Sequence, residues 1–330
     1  MTRKTTREIL QEKRVIMVCG AGGVGKTTTA INLGASLAVA ERRTLILDLD
    51  PQGNATSGLG VEGRASRPNM YKVLIGQAEI AEAVVEHVHF PHLDVVPSTR
   101  DLVGAEIELV SAFSRETILR QAIAKLPDRY DFILVDCPPS LGLLTVNTLT
   151  AADSVLIPIQ CEFYALEGLS QLLNTIRLVQ RGLNPELDVE GVLLTMYDKR
   201  LNLSRQVSAE AREYFGPKVY RTAIPRNVRL AEAPSFGQPI VQYDVVSQGA
   251  QAYLALANEV IERRGRAKAA AAVDVSKLDI ANRMFPHVPD DGATGLPPEG
   301  EASPEETADV MNRNDETEEE ETDETDHGTN

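Results

Sequence analysis

Val15-Ile16-Met17-Val18-Cys19-Gly20 runs directly into Ala21-Gly22-Gly23-Val24-Gly25-Lys26-Thr27-Thr28. The first run is short, apolar and rich in β-branched residues, which predicts a buried strand. The glycines that follow let the backbone turn tightly and bring its N–H groups up to an anion. Thr28 to Val39 has helical character, so the N-terminus of that helix faces the same anion. Gly20 to Thr27 satisfies G-x-x-x-x-G-K-[ST] in full, with a strand before it and a helix after it. Gly22, Gly23, Val24, Gly25, Lys26, Thr27 and Thr28 are therefore the candidate phosphate cradle. Lys26 supplies the point charge and Thr27 a hydroxyl for Mg²⁺.

Outward from this loop, apolar strands alternate with helical periodicity through about residue 265. Thr44 to Asp50, Leu93 to Pro97, Tyr130 to Asp136, Ser154 to Ile159, Val189 to Thr195 and Lys218 to Ala223 read as strands. Asp101 to Leu126 reads as helical with a break near Ser114. Leu141 to Ala151, Leu166 to Gln180, Leu203 to Phe215 and Ser247 to Arg264 read as helices, with shorter ones over Met70 to Gly76 and Glu79 to His87. This alternation predicts a mostly parallel, twisted sheet covered by helices on both faces. The composition agrees: hydrophobic residues make up 43% of the 330, and aromatics only 5%. Parallel sheets are built on Val, Ile, Leu and Ala in this way.

The net charge of −15 is unevenly placed. Residues 301–330 hold thirteen Asp and Glu against one Arg, a net of −12, so the first 300 residues carry only −3. The expected organisation is a basic N-terminal segment over 1–13, one α/β domain over 14–265, and a disordered acidic tail over 266–330 that keeps the chain soluble. The N-terminus lacks the apolar core of a secretory signal, and no run approaches the ~20 apolar residues of a membrane span. Three cysteines without a C-x-x-C pair point to buried thiols in a cytoplasmic protein rather than to a metal or redox centre.

Three carboxylates stand at the C-terminal ends of apolar strands, where open α/β sheets bind their ligands. Asp48 and Asp50 alternate on one strand end and share a face. Asp50, at the strand-to-loop junction, is the better placed to face a γ-phosphate and position water. Asp136, ending Phe132-Ile133-Leu134-Val135, suits the water shell of a magnesium ion. Lys199, Arg200 and Arg205 cluster at a helix start, and Arg221, Arg226 and Arg229 follow. Such a set without base-reading side chains suits salt-sensitive phosphate contacts.

Five blocks resemble the ParA/Soj chromosome- and plasmid-partitioning ATPases: Gly22 to Thr29 with Asn32, Leu47 to Gly60, Phe132 to Ser140, Ile157 to Gly168, and Ile224 to Pro239. The similarity runs from about residue 13 to 264 and leaves out the acidic tail. It implies a P-loop fold of the MinD/ParA kind and a cytoplasmic, nucleoid-associated ATPase using ATP and Mg²⁺. It implies an ATP-dependent homodimer that binds double-stranded DNA without sequence preference, acts with a ParB-like partner and uses no membrane. Carried over by motif, Lys26, Asp50 and Asp48 serve catalysis. Thr27, and Asp136 through water, serve the metal. The loop Pro225, Arg226 and Asn227 meets the adenine, and Arg200 and Arg229 lie on the DNA face. The basic N-terminus, Arg3 to Arg14, is similar in character to the segment that meets ParB.

One position departs from the family. These ATPases carry a lysine immediately before Gly-Gly-Val-Gly-Lys-Thr, which reaches the partner subunit's phosphates; here it is Ala21. Lys26 and the backbone still provide for ATP binding. The ATP-locked dimer and its hydrolysis are the steps that Ala21 puts in question. The resemblance thus leaves two further readings: an ATP- and DNA- or partner-binding protein with weak or no hydrolysis, and a MinD-like positioning ATPase.

Overall fold

The computed structural model describes residues 14–62, 67–162 and 167–267. The readings placed on 1–13 and on the tail from 268 onward lie outside the described residues. All the described residues belong to one compact unit.

Six strands form one sheet in the order β3-β2-β4-β1-β5-β6, every pair parallel. They are β1 (Arg14–Val18), β2 (Thr44–Asp48), β3 (Leu93–Val96), β4 (Phe132–Asp136), β5 (Ser154–Gln160) and β6 (Asp188–Thr195). The longer helices are α1 (Lys26–Val39), α2 (Leu143–Ala151), α3 (Glu167–Gly182), α4 (Asn202–Phe215) and α5 (Gln248–Ala267). The expected α/β architecture is the observed one.

Both sheet faces are buried, and the side-chain period of two assigns residues to them. Val15, Met17, Leu45, Leu47, Ile133 and Val135 enter one core with Leu144 and Leu149 of α2 and Leu172, Leu173 and Ile176 of α3. Ile16, Val18, Ile46, Leu134, Leu156 and Leu193 enter the other with Leu33 and Leu37 of α1 and Tyr253, Leu256 and Val260 of α5. Gly34 brings α1 close to the sheet. A Cβ there would lie 2.7 Å from the Ile46 Cδ1. Asn32 ties α1 to the chain before α5, donating to the Thr28 carbonyl (2.8 Å) and accepting from the Ile240 N–H (2.7 Å).

Two elements differ from expectation. Lys218 to Ala223 forms no strand; it makes one parallel bridge, Val219 to Val192, after a 3-10 turn over Gly216–Lys218. Past the bridge the segment meets β6 through separate bonds, the Tyr220 N–H to the Val192 carbonyl and the Ile224 N–H to the Leu194 carbonyl, rather than a ladder. The predicted helix over Glu79 to His87 shrinks to Ile80–Ala83, because Val85 exchanges backbone hydrogen bonds with Val95 of β3 instead. The break expected near Ser114 is present, with Ser114 at φ +54° between the helices Leu102–Glu108 and Ile118–Ala124.

Candidate functional site

The loop between β1 and α1 is held open by backbone conformation. Gly23 and Gly25 have φ +76° and +85°, the left-handed region that glycine enters without strain, and Gly25 caps α1. A Cβ on Gly22, Gly23 or Gly25 would touch nothing within 4 Å, so the loop's inner face is open rather than filled. The N–H groups at the start of an α-helix have no partner inside it and are available to an anion. The Lys26 ammonium lies inside the loop, donating to the Ala21 carbonyl at 2.9 Å. From the far side, the Thr195 hydroxyl at the end of β6 donates to the Val24 carbonyl at 2.9 Å and fixes the loop to the sheet.

Beside this loop, β2 and β4 end in register: Asp48 pairs with Asp136, and Asp136 with Val18 of β1. Asp48 is buried, and both its oxygens are engaged. One accepts the Asp50 N–H (3.1 Å), the other the Thr56 N–H (2.8 Å) and hydroxyl (2.7 Å). Burial pushes its carboxyl up to about 6 against these hydrogen bonds, and the neighbouring Asp50 adds to the rise. Asp136 is fully buried, and neither of its oxygens has a hydrogen-bond partner. Its pKa is raised well above the usual carboxylate range, first by burial and then by Asp48; the Thr27 hydroxyl and Lys26 ammonium counter only part of this. A buried carboxylate with both oxygens unpaired, beside the Thr27 hydroxyl, fits a hydrated divalent cation, because such a group is costly unless a cation or donors meet it.

Asp50 lies past the end of β2, in the loop. It accepts from the Gln52 N–H at 2.9 Å, and its own carbonyl accepts from the Ser98 hydroxyl at 2.8 Å. Ser98 in turn donates its N–H to the Thr56 hydroxyl at 2.9 Å. Asp48, Thr56 and Ser98 thus brace the loop that carries Asp50. Thr56, Ser98 and Thr195 were not singled out from the sequence. Thr56 falls inside the Leu47 to Gly60 block, but what it touches depends on where β3 ends.

The segment Pro225, Arg226 and Asn227 is drawn to the ends of the same strands. Ile224 donates to Leu194 of β6, Tyr197 donates to Ile224, and Tyr197 bridges Pro225. Asn227 caps the short helix Val228–Glu232, accepting from the Arg229 N–H at 2.9 Å, and Arg226 pairs with Glu162 at 3.2 Å.

The candidate phosphate-contacting arginines are exposed but already paired. Arg200 grips Asp198 through two nitrogens (2.9 and 2.7 Å) and pulls its carboxyl down to about 2, with Arg226 adding to the effect. Arg229 pairs with Glu232 at 2.9 Å and with Asp244 at 3.6 Å. Arg221 is turned toward Glu259 and Glu262 of α5. Exposed pairs of this kind are weak because water and salt screen them, so a phosphate can displace such a carboxylate.

Among the described residues no group of His, Cys, Asp and Glu forms a metal cage, and no helix is long and apolar enough to cross a membrane. Cys19, Cys137 and Cys161 are free, buried thiols, each raised by desolvation.

Comparison with known proteins sets this geometry in a family. Residues 13–189 match the family model described as AAA domain. The chain is 58% identical over 239 residues to the sporulation initiation inhibitor protein Soj of Bacillus subtilis, covering 72% of this chain and 94% of that protein. It is 57% identical over 242 residues to the chromosome partitioning protein ParA of Myxococcus xanthus, covering 73% and 85%. Among solved structures, the Mycobacterium smegmatis protein described as cobyrinic acid a,c-diamide synthase, with bound ADP and magnesium, has a TM-score of 0.67. It is 36% identical, and the alignment covers 79% of this chain and 99% of that one. The septum site-determining protein MinD of Pyrococcus horikoshii, complexed with Mg-ADP, has a TM-score of 0.62 at 26% identity, covering 77% and 98%. With the phosphate loop, the paired strand-end carboxylates and identity above one half over most of its length, the chain belongs to the ParA/Soj family of chromosome-partitioning P-loop ATPases.

Proposed function

We propose that the chain binds ATP with Mg²⁺ in the loop Gly20 to Thr28, dimerises on ATP and binds double-stranded DNA without sequence preference. In this reading it hydrolyses ATP to ADP and phosphate while segregating or positioning DNA with a ParB-like partner, in the cytoplasm and on the nucleoid. The single observation that carries the nucleotide site is Asp136: a buried carboxylate, unpaired at both oxygens, next to Thr27 and Lys26.

In this reading the residues divide the work by motif. The N–H groups of Gly22 to Thr28 and the Lys26 ammonium take the β- and γ-phosphates, and Lys26 leaves the Ala21 carbonyl to do so. Thr27 and, through water, Asp136 hold the cation. When bound, Mg²⁺ neutralises phosphate charge as it develops during transfer. Asp50 orients the attacking water, and its loop is held in place for that task. Asp48 acts as a positioning residue, since its oxygens are engaged by Thr56 and Asp50. Pro225, Arg226 and Asn227 contact the adenine. Arg200 and Arg229 exchange their surface carboxylates for DNA phosphates.

A second reading rests on Ala21. No side-chain cation stands at that position to reach across a dimer, and the family's hydrolysis step draws on one. In that reading the chain binds ATP, DNA and partner but turns ATP over slowly. ATP turnover by the full chain with Mg²⁺, DNA and the partner, beside the Ala21→Lys variant, separates the two. Robust natural turnover supports the first reading, and turnover that appears only in A21K supports the second. Absence of turnover in both, with ATP unbound, rejects the site.

A further inference from the structure

Gly60 and Gly237 meet backbone to backbone. Both hold φ in the left-handed region, at +65° and +62°. A Cβ on Gly237 would lie 2.8 Å from the Gly60 Cα and 3.1 Å from its nitrogen, and one on Gly60 would lie 3.2 Å from the Gly237 carbonyl oxygen. Conformation and close approach both call for glycine here. Gly76 is the contrast: its φ is +76°, but a Cβ there would meet nothing within 4 Å. Two backbones in direct contact leave no flexible side chain to absorb a shift, so a displacement of one is passed to the other.

Gly60 closes the loop that carries Asp50. Its N–H donates to the Ser57 carbonyl (2.9 Å), and the Val61 N–H donates to the carbonyl of Thr56 (3.1 Å), the residue bonded to Asp48. Gly237 ends the 3-10 turn Ala233–Phe236, which directly follows the Arg229 helix Val228–Glu232. Its neighbour Phe236 stacks on Tyr243, with ring centroids 5.1 Å apart, and the Tyr243 hydroxyl donates to Glu232 at 3.3 Å. Glu232 is the carboxylate that holds Arg229. From the other side, Asn32 links the Ile240 N–H to the carbonyl of Thr28 in the phosphate loop. The segment 228–240 is therefore tied to both halves of the nucleotide site. Arg229 within it has two arrangements open to it, on Glu232 and Asp244 or on a phosphate.

We infer that the Gly60–Gly237 contact is the joint through which occupancy of the phosphate site sets the hold of Glu232 on Arg229. The inference rests on the reading that ATP controls DNA binding. When a γ-phosphate draws the Asp50 loop toward it, Gly60 moves with the loop and carries Gly237, Phe236 and Tyr243. Tyr243 then shifts against Glu232, and Arg229 is released to a DNA phosphate. Gly60 and Gly237 are positioning residues, since each acts through its neighbours.

The test uses the full chain, a non-hydrolysable ATP analogue with Mg²⁺, and double-stranded DNA of arbitrary sequence. DNA affinity is read by fluorescence anisotropy with and without the nucleotide, nucleotide affinity by titration with and without DNA, and the dimer by light scattering. Gly237→Ala and Gly60→Ala are compared with Gly76→Ala, which carries a similar backbone strain away from the joint. In the natural chain and in G76A, nucleotide should raise DNA affinity, and DNA nucleotide affinity, by one common factor. In G237A and G60A that factor should shrink at least about fivefold, with nucleotide affinity alone and the nucleotide-dependent dimer retained. An undiminished factor in either variant overturns the inference, as does an equal loss in G76A. So does a dimer lost together with the factor, which places the coupling in dimerisation. Hydrogen exchange on the natural chain covers variants that fail to fold. Nucleotide should change exchange at the Arg229, Gly237 and Gln238 amides, and unchanged exchange there overturns the joint. If nucleotide leaves the natural chain's DNA affinity unchanged, the reading of an ATP-controlled switch falls and takes the joint with it. An undiminished factor in the variants removes the joint alone.

Discussion

Asp48 and Asp136 lie opposite each other at the ends of β2 and β4, one with both oxygens hydrogen-bonded and the other with neither. Burial raises the hold of each on a proton, and the Asp48 charge adds to the rise at Asp136. The asymmetry divides the labour. Asp48 stabilises the loop that carries Asp50, and Asp136 remains available for a cation.

Replacing the buried ammonium should remove nucleotide binding without unfolding the chain. Lys26 makes its hydrogen bond to the carbonyl of Ala21 within its own loop, so Lys26→Ala leaves the sheet intact. The loss of charge-assisted bonds to phosphate predicts at least roughly a hundredfold weaker ATP binding. A fluorescent-nucleotide titration checks this, with circular dichroism to confirm the fold. Unchanged affinity would move the nucleotide elsewhere.

Proton linkage gives a second expectation. The folded pKa of Asp48, about 6, lies above the ordinary carboxylate value of 3.8, so the folded chain holds a proton that the unfolded chain has released. The unliganded fold is therefore most favoured below about 4 and loses stability as pH rises through about 6, by on the order of 3 kcal/mol from this group. Asp153, also buried and raised to about 6, acts in the same direction. On the proposed site Mg²⁺–ATP binding would run the other way, because Asp136, raised by burial, would give up its proton to hold the cation's water. Affinity for Mg²⁺–ATP should rise with pH, with protons released on binding. Calorimetry in two buffers of different ionisation enthalpy measures that release.

Thr56→Val removes one of the three hydrogen bonds to Asp48 and the acceptor for the Ser98 N–H. Buried donors and acceptors left unpaired cost ~1–3 kcal/mol each. The denaturant midpoint should fall accordingly, and turnover should fall further than ATP affinity, because the loop that loosens carries Asp50 rather than the phosphate cradle.

The DNA reading predicts salt-sensitive affinity that Arg229→Glu weakens on all sequences alike. The log–log salt slope should drop by about 0.9 for each lost phosphate contact. Filter binding across a salt series, with and without ATP, provides the measurement. Equal DNA affinity with and without nucleotide would contradict an ATP-controlled switch.

How much of this was legible beforehand follows from how local each signal is. The phosphate loop, six of the seven expected strands and the three aspartates at or just past strand ends are encoded by spacing within a few residues, and they stand where the spacing put them. The bonds from Ser98 to Thr56 and from Thr195 to Val24 join residues 42 and 171 positions apart, and only the sheet order brings them together. The ion pairs that occupy Arg200 and Arg229 were equally hidden, since composition shows a cluster of cations but not the carboxylates that face them. The failed strand at 218–223 shows the reverse case, in which a strand was read but the segment meets β6 through an isolated bridge and separate bonds.

The measurement that bears most directly on the whole account is steady-state ATP turnover by the full chain with Mg²⁺, DNA and the ParB-like partner, beside Asp136→Asn. The account predicts Mg²⁺-dependent turnover that DNA and partner raise, lost by at least about a hundredfold in D136N while the fold is retained. Turnover unaffected by D136N, or ATP neither bound nor hydrolysed by the natural chain, would contradict it.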